Sequence, residues 1–131
     1  MKRKIIFGIA VATCLLGAAW LFFWPSSLSF PIEHITRIEL WDGSNGNMVE
    51  FTDPAQIQTI IDPFNENRFR RTVRPPIARA GWSYRLRIFQ GEETVADIVF
   101  LSGERFIIGA FYYNIPRNVI DLDFYRELLS N

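Results

Sequence analysis

The sequence predicts an α+β protein: an N-terminal transmembrane helix, then a small domain whose antiparallel β-sheet packs against one or two helices. Three observations predict it. Ile5 to Trp24 is a run of 20 residues without a charge, preceded by Lys2, Arg3 and Lys4 and followed by Pro25. Beyond it, several short segments alternate apolar and polar residues, the period of half-buried strands. Two other segments, after Asp53 and after Asp121, carry apolar residues at helical spacing.

The apolar run comes first. At about 1.5 Å per residue it spans the roughly 30 Å hydrocarbon core of a bilayer. Inside hydrocarbon every backbone N–H and C=O must be bonded within the segment, so a helix is expected despite Gly8 and Gly17. Basic residues flank only its start, and none occurs between Trp24 and Arg37. That asymmetry places the N-terminus in the cytoplasm and the rest outside, with Trp20, Phe22, Phe23 and Trp24 at the outer interface. Residues 1–4 then form a cytoplasmic basic tip, 5–24 a single-pass membrane helix, 25–32 a tether and 33–131 an extracytoplasmic domain. Two other readings share these residues. A cleaved secretory signal would use Gly17-Ala18-Ala19, leaving Trp-Leu-Phe-Phe-Trp as a new terminus; a lipoprotein signal would modify Cys14. All three deliver the same domain to the same side.

Size and charge bound what that domain does. About 100 residues suffice for one modest core. All 14 acidic residues follow the anchor and 3 of the 14 basic ones precede it, so the outer part is mildly acidic and nucleic acid is disfavoured. Cys14 is the only cysteine, which excludes an intramolecular disulfide and an external thiolate metal site.

In order, Pro25 to Pro31 is a short tether. Ile35 to Trp41 reads as a strand, with Thr36, Ile38 and Leu40 on one face and Arg37 and Glu39 on the other. Asp42 to Asn47 reads as a hairpin loop, and Met48 to Phe51 as the returning strand. Thr52-Asp53-Pro54-Ala55-Gln56 starts a helix, Asp53 as cap, Pro54 at the first position and Gln56 completing a capping box. Ile57, Ile60, Ile61 and Phe64 share its inner face, and Pro63 is expected to end or bend it near Asp62. Asn67 to Arg79 is the most basic stretch, expected to begin as a strand and become an extended loop. Trp82 to Ile88 and Thr94 to Leu101 are two further strands, and Arg105 to Ile108 and Phe111 to Ile115 two short ones around Gly109-Ala110. Leu122, Tyr125, Leu128 and Leu129 form a last helix capped by Asp121 or Asp123.

Residues 33–129 resemble small, uncharacterised extracytoplasmic domains of Gram-positive bacteria carried on a single N-terminal span or a lipoprotein signal. The resemblance lies in Ile35-Thr36-Arg37-Ile38-Glu39-Leu40, in Phe51-Thr52-Asp53 leading to Ile60-Ile61, in Trp82-Ser83-Tyr84, and in Phe111-Tyr112-Tyr113 followed by Asp121-Leu122-Asp123-Phe124. It implies location and architecture, and no activity.

Little in the pattern points to catalysis. Asp42 to Asn47 departs from an EF-hand loop, with Gly46 at position 5, Asn47 at position 6 and Asp53 at position 12, so it reads as a turn and no metal is expected. His34 is the lone histidine, without the partners of a zinc site or a nucleophilic triad. Asp121 and Asp123 suit helix capping, and Asp97, if it faces inward, is expected to pair with Arg85 or Arg87. The feature above background is basic: Arg68, Arg70, Arg71 and Arg74, with Arg85 and Arg87 as a possible extension on a neighbouring strand. Its bland reading is a charged edge that blocks aggregation; its functional reading is a set of guanidinium forks for phosphate or carboxylate. The expectation is therefore a non-catalytic, membrane-anchored envelope binding or accessory module without a cofactor. Its partners are the bilayer through Ile5 to Trp24, and an anionic envelope component (lipid headgroup or wall polymer) or a membrane protein. The alternative is a small envelope hydrolase using Asp97, Asp121 or Asp123. A subunit of a larger membrane complex is a third reading, though Gly8 and Gly17 do not form a Gly-xxx-Gly pair.

Overall fold

The computed structural model describes residues 1–24, 28–73, 82–109 and 111–130. Helix α1 (Lys2–Phe23) carries the apolar run. None of its residues in the membrane-length window is buried, and among the described residues it is the one helix long and apolar enough to cross a membrane. That fits a membrane anchor or a signal sequence. Its one hydroxyl is satisfied internally, Thr13 Oγ1 donating to the Ile9 carbonyl at 2.9 Å. At Trp24 the backbone turns extended, which ends the helix.

The rest is α+β. Strands β1 (Arg37–Asp42), β2 (Met48–Phe51), β3 (Arg70–Val73), β4 (Tyr84–Gln90), β5 (Glu93–Ser102), β6 (Arg105–Ile108) and β7 (Phe111–Asn114) form one antiparallel sheet in the order β2-β1-β4-β5-β6-β7-β3. Helices α2 (Pro54–Glu66) and α3 (Leu122–Ser130) pack on the same face, because Phe64 of α2 and Tyr125 of α3 both meet the Phe100 ring. Strand alternation sets that face: Ile38, Leu40, Leu86, Ile88, Ile98, Phe100 and Phe106 are fully buried beneath the helices. The other face carries Glu39, Arg85, Arg87 and Asp97, aligned across β1, β4 and β5.

The hairpin joining β1 and β2 forms as its residue types predict. Asp42 Oδ1 accepts from the Ser44 N–H at 2.8 Å, the Gly46 N–H donates to the Asp42 carbonyl at 2.9 Å, and Gly46 sits at φ +75°. Gly43 is needed for space: a Cβ there would lie 2.0 Å from the Trp82 carbonyl oxygen.

Two expectations about α2 are corrected. Asp53 is the N-cap residue and Pro54 opens the helix, but neither the Asp53 side chain nor a capping box supplies the cap hydrogen bond. Nor does the helix end near Asp62; it continues through Pro63 to Glu66. An interior proline costs about 3 kcal/mol. Against that stands Phe64, fully buried and in ring contact with Phe30, Phe69, Phe100 and Phe106. Such a side chain contributes about 3–5 kcal/mol, and each aromatic pair adds roughly 0.5–1.5 kcal/mol. The turn after Pro63 also holds the chain entering β1: Asn65 accepts from the Phe30 N–H at 2.7 Å and donates back to its carbonyl at 3.0 Å. At α3, Asp121 accepts from the Asp123 N–H at 2.9 Å, so the capping reading holds there.

Candidate binding surface

The basic stretch after α2 becomes strand β3, at the end of the sheet, which among the described residues pairs only with β7. Strand alternation divides its arginines. Arg71 lies opposite Tyr113 and shares the helix-covered face, whereas Arg70 lies opposite Asn114 on the other. Arg68 is exposed just before the strand. Arg74 lies outside the described residues, so the reading that Arg68, Arg70 and Arg74 share one side of the chain lies partly outside them too.

Arg71 has a specific use. Its Nε donates to the Phe22 carbonyl at 2.8 Å, and its guanidinium lies 4.2 Å from the Phe22 ring centroid and 5.7 Å from that of Phe111. Phe22 and Phe111 themselves meet edge to face at 5.3 Å. The last turn of a helix leaves carbonyls without intrahelical donors and carries partial negative charge, both of which a cation relieves. Arg71 thereby fastens the end of α1 to the β3 edge.

Arg85 and Arg87 lie elsewhere. Strand β4 is four strands from β3, about 19 Å at the usual inter-strand spacing, so the structure does not merge them with the β3 arginines. They meet instead around Asp97, in register opposite Arg87. Arg85 Nε donates to Asp97 Oδ1 at 2.7 Å and Arg85 Nη2 to Oδ2, while Arg87 Nε stands 3.6 Å from Oδ2 with no hydrogen bond. Thus Asp97 pairs as expected for an inward position although it faces away from the helices. The Arg85 hydrogen bonds hold its carboxyl below the usual carboxylate range; partial burial opposes this, and the Arg85 and Arg87 charges reinforce it. A carboxylate so held stays ionised and is poorly suited to donate a proton.

The carboxylates of the hydrolase reading are not brought together. Asp123 pairs with Arg126 and Asp121 caps α3, on the helix side of the sheet, while Asp97 occupies the opposite face. Asp42 is also held below the usual range by the Ser44 hydroxyl and N–H, in keeping with a turn. His34 is exposed in a short 3-10 turn, and no group of three or more His, Cys, Asp or Glu suited to a metal occurs among the described residues.

One site is not legible in the sequence. A groove of about 860 Å³ runs between the β5–β6 turn and the loop from β7 to α3, lined by Glu104, Arg105, Asn114, Arg117 and Asp121 among others. The Ile115 N–H donates to the Glu104 carbonyl at 2.8 Å and ties the two walls together. Arg105 and Arg117 are exposed, and their side chains make no hydrogen bond or ion pair among the described residues. The turn signal at Gly109-Ala110 would have paired Arg105 with Asn114; nothing in the sequence brings Arg117 to them. Comparison with protein-family models, curated proteins and solved structures finds no match to this chain.

Proposed function

We propose that the chain is a single-pass membrane protein with a cytoplasmic N-terminus, whose extracytoplasmic domain is a non-catalytic binding or accessory module presenting the arginines of β3 to an anionic surface of the cell envelope. The observation that carries this reading is the Arg71 hydrogen bond to the Phe22 carbonyl. It links the outer end of an anchor to one particular edge of the domain. With α1 across a bilayer, Trp20 and Trp24, whose rings lie 5.6 Å apart, fall at headgroup depth. The β3 edge then stands at the leaflet surface, with Arg68 and Arg70 exposed beside it. Guanidinium forks match phosphate oxygens, and each basic residue near an anionic leaflet contributes about 1 kcal/mol. A local basic edge on an otherwise acidic domain also orients it, since the remaining surface is repelled.

The test is hydrogen exchange of the full chain in nanodiscs. In discs containing phosphatidylglycerol, backbone amides of residues 68–73 are expected to exchange several-fold more slowly than in pure phosphatidylcholine. Replacing Arg68, Arg70 and Arg74 by Gln is expected to remove the difference with the fold intact. Equal exchange of the unaltered protein in both lipids would retire the proposal.

A further inference from the structure

The groove between the β5–β6 turn and the β7–α3 loop gives the proposed module a ligand class. We infer that it binds a hydroxyl-bearing phosphodiester, a polyol joined through phosphate. The inference rests on the reading that the domain faces an anionic envelope.

Two guanidinium groups line the groove and a third stands beside it in register. Arg105 and Arg117 line the groove, and Arg70 is the cross-strand neighbour of Asn114, which lies in register between Arg70 and Arg105. Arg70 and Arg105 are thus on the same face two strand spacings apart, about 10 Å, a span that two long side chains can bridge to reach one anion. None of the three side chains makes a hydrogen bond or ion pair among the described residues, so their forks are available. Asn114 adds an amide that can both donate and accept.

The carboxylates on the two walls narrow the choice. Glu104 and Asp121 line the same groove, and a second negative charge on the ligand would face them. A monoanionic diester is tolerated better than a dianionic monoester. Carboxylates beside a phosphate site are suited instead to accept hydrogen bonds from hydroxyls of the attached polyol. The volume, about 860 Å³, lies within the range of small-molecule sites and exceeds what a bare phosphate needs.

The experiment titrates the full chain in phosphatidylcholine nanodiscs with glycerophosphoglycerol, and separately with inorganic phosphate, by calorimetry. Saturable binding of the diester is expected, at least about tenfold tighter than that of inorganic phosphate. The double variant Arg105→Gln, Arg117→Gln is expected to weaken it by at least about tenfold with an unchanged melting curve, while Arg126→Gln leaves it unaltered. Repeating the titration in discs containing phosphatidylglycerol separates the sources. A ligand drawn from the bilayer leaves the groove occupied and weakens the soluble probe about tenfold; a soluble or polymeric ligand gives equal binding in both discs. No saturable binding of the diester, or undiminished binding by the double variant, overturns the inference. The β3 exchange experiment uses other variants and another readout, so failure of the membrane-edge reading is told apart from failure of this one.

Discussion

Arg71→Met removes the fastening between α1 and the domain while keeping a side chain of similar reach. The hydrogen bond to the Phe22 carbonyl involves a charged donor, for which about 1.5–3 kcal/mol is typical, and the stacking on Phe22 adds about 0.5–1 kcal/mol. Arg71 is only half-buried, so the lower ends apply, giving about 2 kcal/mol. That corresponds to about a 30-fold change in the ratio of docked to undocked arrangements. The Phe22–Phe111 contact survives the substitution and limits the effect. Electron–electron distance measurement reads it, with one nitroxide on native Cys14 of α1 and a second on a Glu93→Cys substitution in β5. The unaltered protein is expected to give one narrow distance, and Arg71→Met a broadened distribution with a second component. Superimposable distributions would refute the reasoning, because α1 would then be held by something other than Arg71.

Two further predictions concern the domain. Gly43→Ala drives a methyl group into the Trp82 backbone and strains the Gly43 N–H bond to the Ser83 carbonyl; a loss of about 1–3 kcal/mol is expected in denaturant unfolding, with Gly103→Ala, where a Cβ meets nothing within 4 Å, as the neutral comparison. Equal midpoints for the two variants would contradict this packing. Asp97→Asn is expected to cost about 1 kcal/mol at pH 7, the scale of a partly exposed ion pair. Because the folded-state pKa of Asp97 is depressed, its contribution is present above the ordinary carboxylate range and is lost as pH falls through the folded value. The stability gap between wild type and variant should therefore close in acid; a gap as wide at about pH 2.5 as at pH 7 would exclude the Asp97 ion pair as its source.

The parts of the fold readable in the sequence are those set by local periodicity. Ile38 and Leu40, Leu86 and Ile88, and Ala96, Ile98 and Phe100 lie buried on one face as the alternation of two requires. Ile57, Ile60, Ile61 and Phe64 line the buried face of α2 as the helical period requires. That α2 does not end at Pro63 is hidden from the sequence because the proline is a local signal, and its cost is outweighed by contacts of Phe64 with rings from β5, β6 and the segments around Phe30 and Phe69. Sheet order was equally hidden, since β3 passes over its neighbours in sequence to pair with β7. For the same reason, arginines adjacent in sequence separate: Arg70 and Arg71 point to opposite faces, and Arg85 and Arg87 join Asp97 four strands away. Arg105 and Arg117, unremarkable as residues, gain their place only through the β6–β7 hairpin and the loop beyond it.

The β3 edge is proposed to stand at the bilayer and the β2 edge far from it. Six strand spacings, about 29 Å, separate the two. A nitroxide at Arg68→Cys and another at Met48→Cys, each in a Cys14→Ala background in nanodiscs bearing gadolinium-chelating headgroups, measure this directly. The account predicts strong relaxation enhancement at position 68 and little at position 48; equal enhancement at the two positions would contradict it.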